Sequence, residues 1–150
     1  MVDKRKGKGF VSKLHSTLSS LLPQTRILSE HIVLWHEQLR GKWPESFWPK
    51  ADLFIEKPDR QFIIEYDENS DPGRSLVKYW PCIDSRDTPL TIIEIWKSGQ
   101  TYGFTYGELA KWMGAKLEKL YPGFHYEFTE RVDEPPEAVA REIAQIVRES

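Results

Sequence analysis

The chain has one cysteine, Cys82, among its 150 residues. A lone thiol excludes an intramolecular disulfide and a clustered thiolate zinc site, and it favours a reducing, cytoplasmic setting. With a proline before it and no basic neighbour in sequence, Cys82 reads as a buried structural thiol. No apolar run approaches the roughly 20 residues that a membrane helix needs, so no membrane contact is expected. The first residues are basic, but glycines interrupt them and no apolar stretch follows, so they do not read as a secretory signal. Strong net charge is also lacking. At −2, with an isoelectric point near 6.1, the protein cannot coat nucleic acid by bulk charge. There is no internal repeat and no low-complexity linker. Gly99, Gly103 and Gly107 fit neither nucleotide-binding glycine fingerprint. Of the four histidines, His31 and His36 are five apart and do not share a face. With His15 and His125 they are expected on the surface or in packing.

What is present suffices for one domain with a packed interior: 39% apolar, 13% aromatic and 29% charged residues. Lys4, Arg5, Lys6 and Lys8 predict a flexible basic arm over 1–10, ahead of a single domain over 11–150. Val11, Leu14, Leu18, Leu21 and Leu22 recur at helical spacing up to Pro23. A second helix is predicted over 25–40 from the stripe Leu28, Ile32, Trp35 and Leu39, with Gly41 as its stop. The aromatic loop Trp43 to Pro49 follows. Asp52 to Glu56 and Gln61 to Asp67 are rich in β-formers around the turn Lys57-Pro58-Asp59-Arg60, which predicts a hairpin. Asp71-Pro72 opens a short helix through Trp80, with Leu76, Val77 and Trp80 inward and Pro81 as its end. Leu90 to Trp96 has the composition of a strand covered on both faces. Thr105-x-x-Glu108 is a capping box before a helix with Leu109, Trp112, Met113, Leu117 and Leu120 on one face. A short strand over 125–128 and a last helix from Pro135-Pro136, burying Val139, Ile143, Ile146 and Val147, complete the chain. The fold class is α/β, with an α+β-like mixed sheet flanked by helices.

The hairpin concentrates acids. A turn centred on Pro58-Asp59 sets Asp52 opposite Glu65, and Asp67 follows on Glu65's face. Facing carboxylates destabilise a sheet unless a cation offsets them, so removing either is expected to relieve repulsion. Hard oxygen ligands of this kind suit Mg²⁺ or Mn²⁺, with Asp52, Glu65 and Asp67 as candidate metal ligands. Arg74 and Lys78, four apart on the next helix, bring cations to the same end. Metal-bound carboxylates beside a lysine and an arginine are the equipment of phosphodiester hydrolysis.

Ala51-Asp52 and Ile63-Ile64-Glu65-Tyr66-Asp67, followed by Arg74-Ser75-Leu76-Val77-Lys78-Tyr79-Trp80, resemble the PD-(D/E)XK, or restriction-endonuclease-like, superfamily. The resemblance covers roughly Glu30 to Trp96. It implies a restriction-endonuclease-like core with a central sheet flanked by helices, and a Mg²⁺-dependent endonuclease. Asp52 and Glu65 would be catalytic ligands, Lys78 the catalytic lysine and Arg74 and Lys78 the contacts to nucleic acid. Two departures stand out. Ala51 replaces the usual proline, and Asp67 stands where the family's lysine belongs, so that Lys78 would supply it from the helix. The family's first helix often carries a glutamate near the site, a part open to Glu30 or Glu37. The expected partner is nucleic acid, DNA before RNA, with a homodimer left open. The alternative reading is a catalytically inactive module of the same shape that binds a protein or nucleic acid, and an α/β protein unrelated to nucleases is a third.

Overall fold

The computed structural model describes residues 4–33, 42, 48–68, 73–97, 106–131 and 134–150, with side chains from residue 9 onward. Its elements are α1 (Lys4–Leu21), β1 (Arg26–Ile32), β2 (Lys50–Glu56), β3 (Gln61–Asp67), α2 (Arg74–Ser85), β4 (Leu90–Trp96), α3 (Tyr106–Leu120), β5 (Phe124–Glu130) and α4 (Pro136–Glu149). The strands form one sheet in the order β1-β2-β3-β4-β5. β1, β2 and β3 pair antiparallel, and β3, β4 and β5 run parallel. A parallel pair needs a crossover, and α2 and α3 supply the two. The fold is therefore mixed α/β.

Alternation along each strand divides the interior into two cores. Leu14 and Leu18 of α1, with Val139, Ile143 and Val147 of α4, cover Leu53, Ile55, Phe62, Ile64, Ile93 and Ile95. On the opposite face Leu76, Tyr79 and Ile83 of α2, with Ala110 and Leu117 of α3, cover Phe54, Ile63, Ile92 and Tyr126. β4 is buried at every position, as its unbroken apolar composition predicts for an interior parallel strand. The hairpin has the expected register, with Leu53 paired to Ile64, Phe54 to Ile63, Ile55 to Phe62 and Glu56 to Gln61.

Four local expectations are corrected. The segment predicted as a helix from residue 25 begins instead as the strand β1. Ile27-Leu28 and His31-Ile32 recur every four residues, a spacing that suits a helix. In β1, however, Ile27 packs into one core and Leu28 into the other. Residues 34–40, and with them Trp35, Glu37 and Leu39, lie outside the described residues, as do Trp43 to Phe47, Asp71, Pro72 and Thr105. At the amino end, α1 begins at Lys4, so most of the segment expected as an arm is helix, and Phe10 stacks on Tyr66 with ring centroids 4.2 Å apart. In α2, Pro81 does not end the helix, which runs on to Ser85. Val77, one turn earlier, is 62% exposed, so the carbonyl that Pro81 leaves without a donor is on the solvent side. The inward face of α2 is Ser75, Leu76, Tyr79, Cys82 and Ile83, while Val77 and Trp80 face out.

The fourth correction concerns α3. Its buried face is Gly107, Ala110, Gly114 and Leu117, with Trp112 and Leu120 exposed. The bulk comes from the sheet. A Cβ on Gly114 would lie 2.1 Å from the Tyr126 ring, and one on Gly107 would lie 3.2 Å from Trp96. Helix and strand thus approach closely where the helix has no side chain. Gly114→Ala is expected to destabilise the fold by about 2 kcal/mol or more, despite alanine's better helix propensity, because Tyr126 is locked in the core. Chemical denaturation checks this, and a stabilised variant would contradict it. No helix among the described residues is long and apolar enough to cross a membrane.

Candidate active site

The acids gather at the carboxyl ends of β3 and β4, where open α/β sheets bind ligands. Asp52, in β2, lies one residue beyond the last ladder pair, Leu53 with Ile64. There the Tyr66 N–H donates to Asp52 Oδ2 at 2.8 Å. That bond fixes the carboxylate beside β3, close enough to Glu65 for each carboxyl group to act on the other's acidity. The facing pair inferred from the turn is thus present.

Glu65 is 5% exposed. It accepts a hydrogen bond from the buried Tyr79 hydroxyl, and Lys78 Nζ lies 2.9 Å from its Oε1. Burial pushes the Glu65 pKa up to about 7 against the pull of the Lys78 ammonium, and nearby Asp52 adds to the rise. Burial also raises Asp52, while the Tyr66 N–H and Lys78 oppose the shift. Both carboxylates are short of positive charge, with Lys78 the cation nearest them. Lys78 and Arg74 share one flank of α2, and with Glu65, Asp67 and Ser75 they line a cleft of about 180 Å³.

Asp67 lies beyond Glu65 on the same side and lines the same cleft, and its charge acts on both Asp52 and Glu94, raising the pKa of each. Among the described residues no three carboxylate, imidazole or thiolate groups stand close enough to hold an ion between them. The structure therefore brings Glu65, Asp67, Arg74 and Lys78 to one cleft, with Asp52 beside Glu65 and within reach of the Lys78 charge.

Glu94 is the site residue that the sequence reading missed. It pairs with Glu65 in the parallel register of β3 and β4, so both project toward α2 and α3. It is fully buried, and its Oε2 accepts hydrogen bonds from Ser75 Oγ and Tyr126 Oη, each 2.5 Å away. Burial, with Asp67 adding to it, pushes the Glu94 pKa up to about 9, so the carboxyl is neutral at pH 7. A signal was available: one acid inside a strand covered on both faces must be neutral or paired.

Of the two glutamates offered for the family's helix position, Glu30 sits in β1. It falls between the pairs Ser29 with Leu53 and His31 with Ala51, at the register position facing Asp52, with a φ of 48° and an exposed side chain. His31 and His125 behave as expected, and His36 lies outside the described residues. His31 stacks on Phe54 with centroids 4.6 Å apart, and His125 lies at the surface between Glu118 and Glu127. Cys82 is buried, and burial lifts its thiol to about 11, which leaves it unreactive.

No family model and no curated protein matches the chain. Among solved structures it is similar to the crystal structure of a protein of unknown function, AF1548, at 11% identity and a TM-score of 0.44, over 91% of this chain. The chain spans 66% of that protein's length. A likeness so distant bears on neither activity nor ligand.

Proposed function

We propose that the protein is a metal-dependent nuclease that hydrolyses phosphodiester bonds of DNA or RNA, a degenerate restriction-endonuclease-like enzyme whose lysine has moved from β3 to α2. The observation that carries this reading is the convergence of Asp52, Glu65 and Lys78 from three elements, with 2.9 Å between the lysine nitrogen and Glu65. Asp52 and Glu65 fit a divalent cation: they are two facing, desolvated carboxylates with depressed acidity, and Mg²⁺ is commonly held by one or two carboxylates with water completing the shell. When bound, Mg²⁺ or Mn²⁺ would polarise the phosphate and supply a water of lowered pKa.

The chain's own residues do the rest. The Tyr66 N–H and the Tyr79 hydroxyl fix the two carboxylates, so that their oxygens need no rearrangement when a cation arrives. Lys78 holds an ammonium at the mouth of the cleft, where it can orient a water or stabilise charge growing on the phosphoryl oxygens. Arg74, at the exposed start of α2, draws the phosphate in by charge. A second reading, a catalytically inactive module, has its support in Asp67 at the lysine position and in the Lys78–Glu65 pair, which neutralises one carboxylate without any metal.

Calorimetric titration with Mn²⁺ tests the proposal. The wild type should give heat at millimolar metal, and Asp52→Asn should lose it. Lys78→Ala should bind the ion at least as well as the wild type, because a competing ammonium is gone, yet cleave about 100-fold more slowly. Adding Asp67→Lys to Lys78→Ala should restore part of the rate by returning the lysine to the strand. Wild-type protein that takes up no Mn²⁺ would leave the nuclease reading without its cofactor.

A further inference from the structure

All the exposed large apolar side chains among the described residues lie on α2 and α3: Val77, Trp80, Tyr106, Trp112 and Leu120. Trp112 is 59% exposed on the outer side of α3, and the Lys116 ammonium, one turn on, lies 5.4 Å from its ring centroid. Lys119 shares that side of the helix. The two carboxylates of α3 are engaged elsewhere. Glu108 pairs with Lys111 at 3.3 Å, while Glu118 accepts the Tyr126 N–H at 2.9 Å and contacts His125. Lys116 and Lys119 form no salt bridge among the described residues. The outer side of α3 therefore presents an aromatic ring and two uncompensated cations.

The helix that carries this surface packs against the start of α2. Gly73, which caps α2 just before Arg74, packs against the middle of α3, where a Cβ on it would lie 3.4 Å from Met113 Sδ and 4.0 Å from the Ala110 backbone. Trp112 is next to Met113, about one helix diameter, roughly 10 Å, from the start of α2. From that start, Arg74 and Lys78 lead into the cleft at Glu65.

We infer that the outer side of α3 is a binding track for single-stranded nucleic acid, with an unpaired base stacked on Trp112 and its phosphates on Lys116 and Lys119. This rests on the nuclease reading, and it names the substrate class as a strand with an unpaired segment beside the scissile phosphate. The indole sets the strandedness. Bases in a duplex already stack on each other and have no free face for a tryptophan, whereas an unpaired base has one. The lysines supply the term that does not depend on sequence. A protein partner would find the same apolar side chains, but it would have no need of two lysines without salt bridges beside an aromatic ring, one of them over its face.

Fluorescence anisotropy in chelator, with labelled oligothymidylate and with a labelled duplex of equal length, separates binding from cleavage. The wild type should prefer the single strand. Trp112→Ala should weaken single-strand binding about 10-fold with the salt dependence unchanged. The double variant Lys116→Ala/Lys119→Ala should also weaken it, and should reduce the slope of log affinity against log salt by about 1.4. A failed nuclease reading would instead show as a wild type that cleaves nothing in Mg²⁺ while this binding pattern stays intact, so the two failures are distinguishable. Unchanged affinity in both α3 variants would overturn the track, as would equal binding of duplex and single strand. So would a wild type that binds neither probe but self-associates through Trp112 in sedimentation, which would give this face to a second copy of the chain.

Discussion

Glu65→Gln is expected to keep the fold and lose the reaction, whereas Glu65→Ala should damage both. Repulsion between facing carboxylates alone would suggest that any truncation relieves strain. The structure revises this, because Glu65 is the acceptor for the buried Tyr79 hydroxyl and for Lys78. Alanine would strand a hydroxyl in the core, which costs about 1–3 kcal/mol and offsets the relief. Glutamine keeps an oxygen for Tyr79 and removes the charge. Cleavage should fall by about 1,000-fold or more, since the electrostatic contribution at the reacting centre depends on that charge. Thermal melting and a cleavage assay on the same preparations check both halves. A Glu65→Gln variant with wild-type cleavage would remove Glu65 from the site.

The second large effect is expected at Glu94. Its folded-state pKa is near 9, against an ordinary 4.5. The sign follows from proton uptake: between these values the folded chain holds a proton that the unfolded chain has released. Stability from this group is fully present below about pH 4.5 and is lost as pH rises toward 9, with a slope approaching ~1.4 kcal/mol per pH unit. Glu94→Gln carries no such proton. In chelator, the variant's melting temperature should gain on the wild type steadily between pH 5 and pH 9. Glu65 shifts in the same direction but is common to both proteins, so the difference isolates Glu94. Glu94→Ala should instead cost about 3 kcal/mol across the range, because it leaves a cavity and strands Ser75 Oγ and Tyr126 Oη. Parallel pH profiles for wild type and Glu94→Gln would contradict a neutral Glu94.

Much of the site was legible because one turn controls it. Lys57-Pro58-Asp59-Arg60 fixes the hairpin register, and the register brings Asp52 to Glu65. Helical spacing then puts Arg74 and Lys78 on one flank of α2. What stayed hidden depends on long-range contacts. The strand β1 carries apolar pairs at a spacing that also suits a helix, and only the neighbouring β2 decides between them. The buried face of α3 is written in Gly107, Ala110 and Gly114, which a search for apolar stripes passes over. Rings from β4 and β5 fill the space that those residues leave. Glu94 went unread because β4 looks uniformly apolar, and its partners Ser75 and Tyr126 come from an earlier helix and a later strand.

The measurement that bears most directly on the central claim is Mg²⁺-dependent cleavage of labelled single-stranded DNA and RNA by the wild type, beside Asp52→Asn/Glu65→Gln. Cleavage by the wild type that chelator abolishes and the double variant lacks is the predicted result. Equal cleavage by the two proteins would contradict it, as would a correctly folded wild type that takes up Mn²⁺ and leaves every substrate intact.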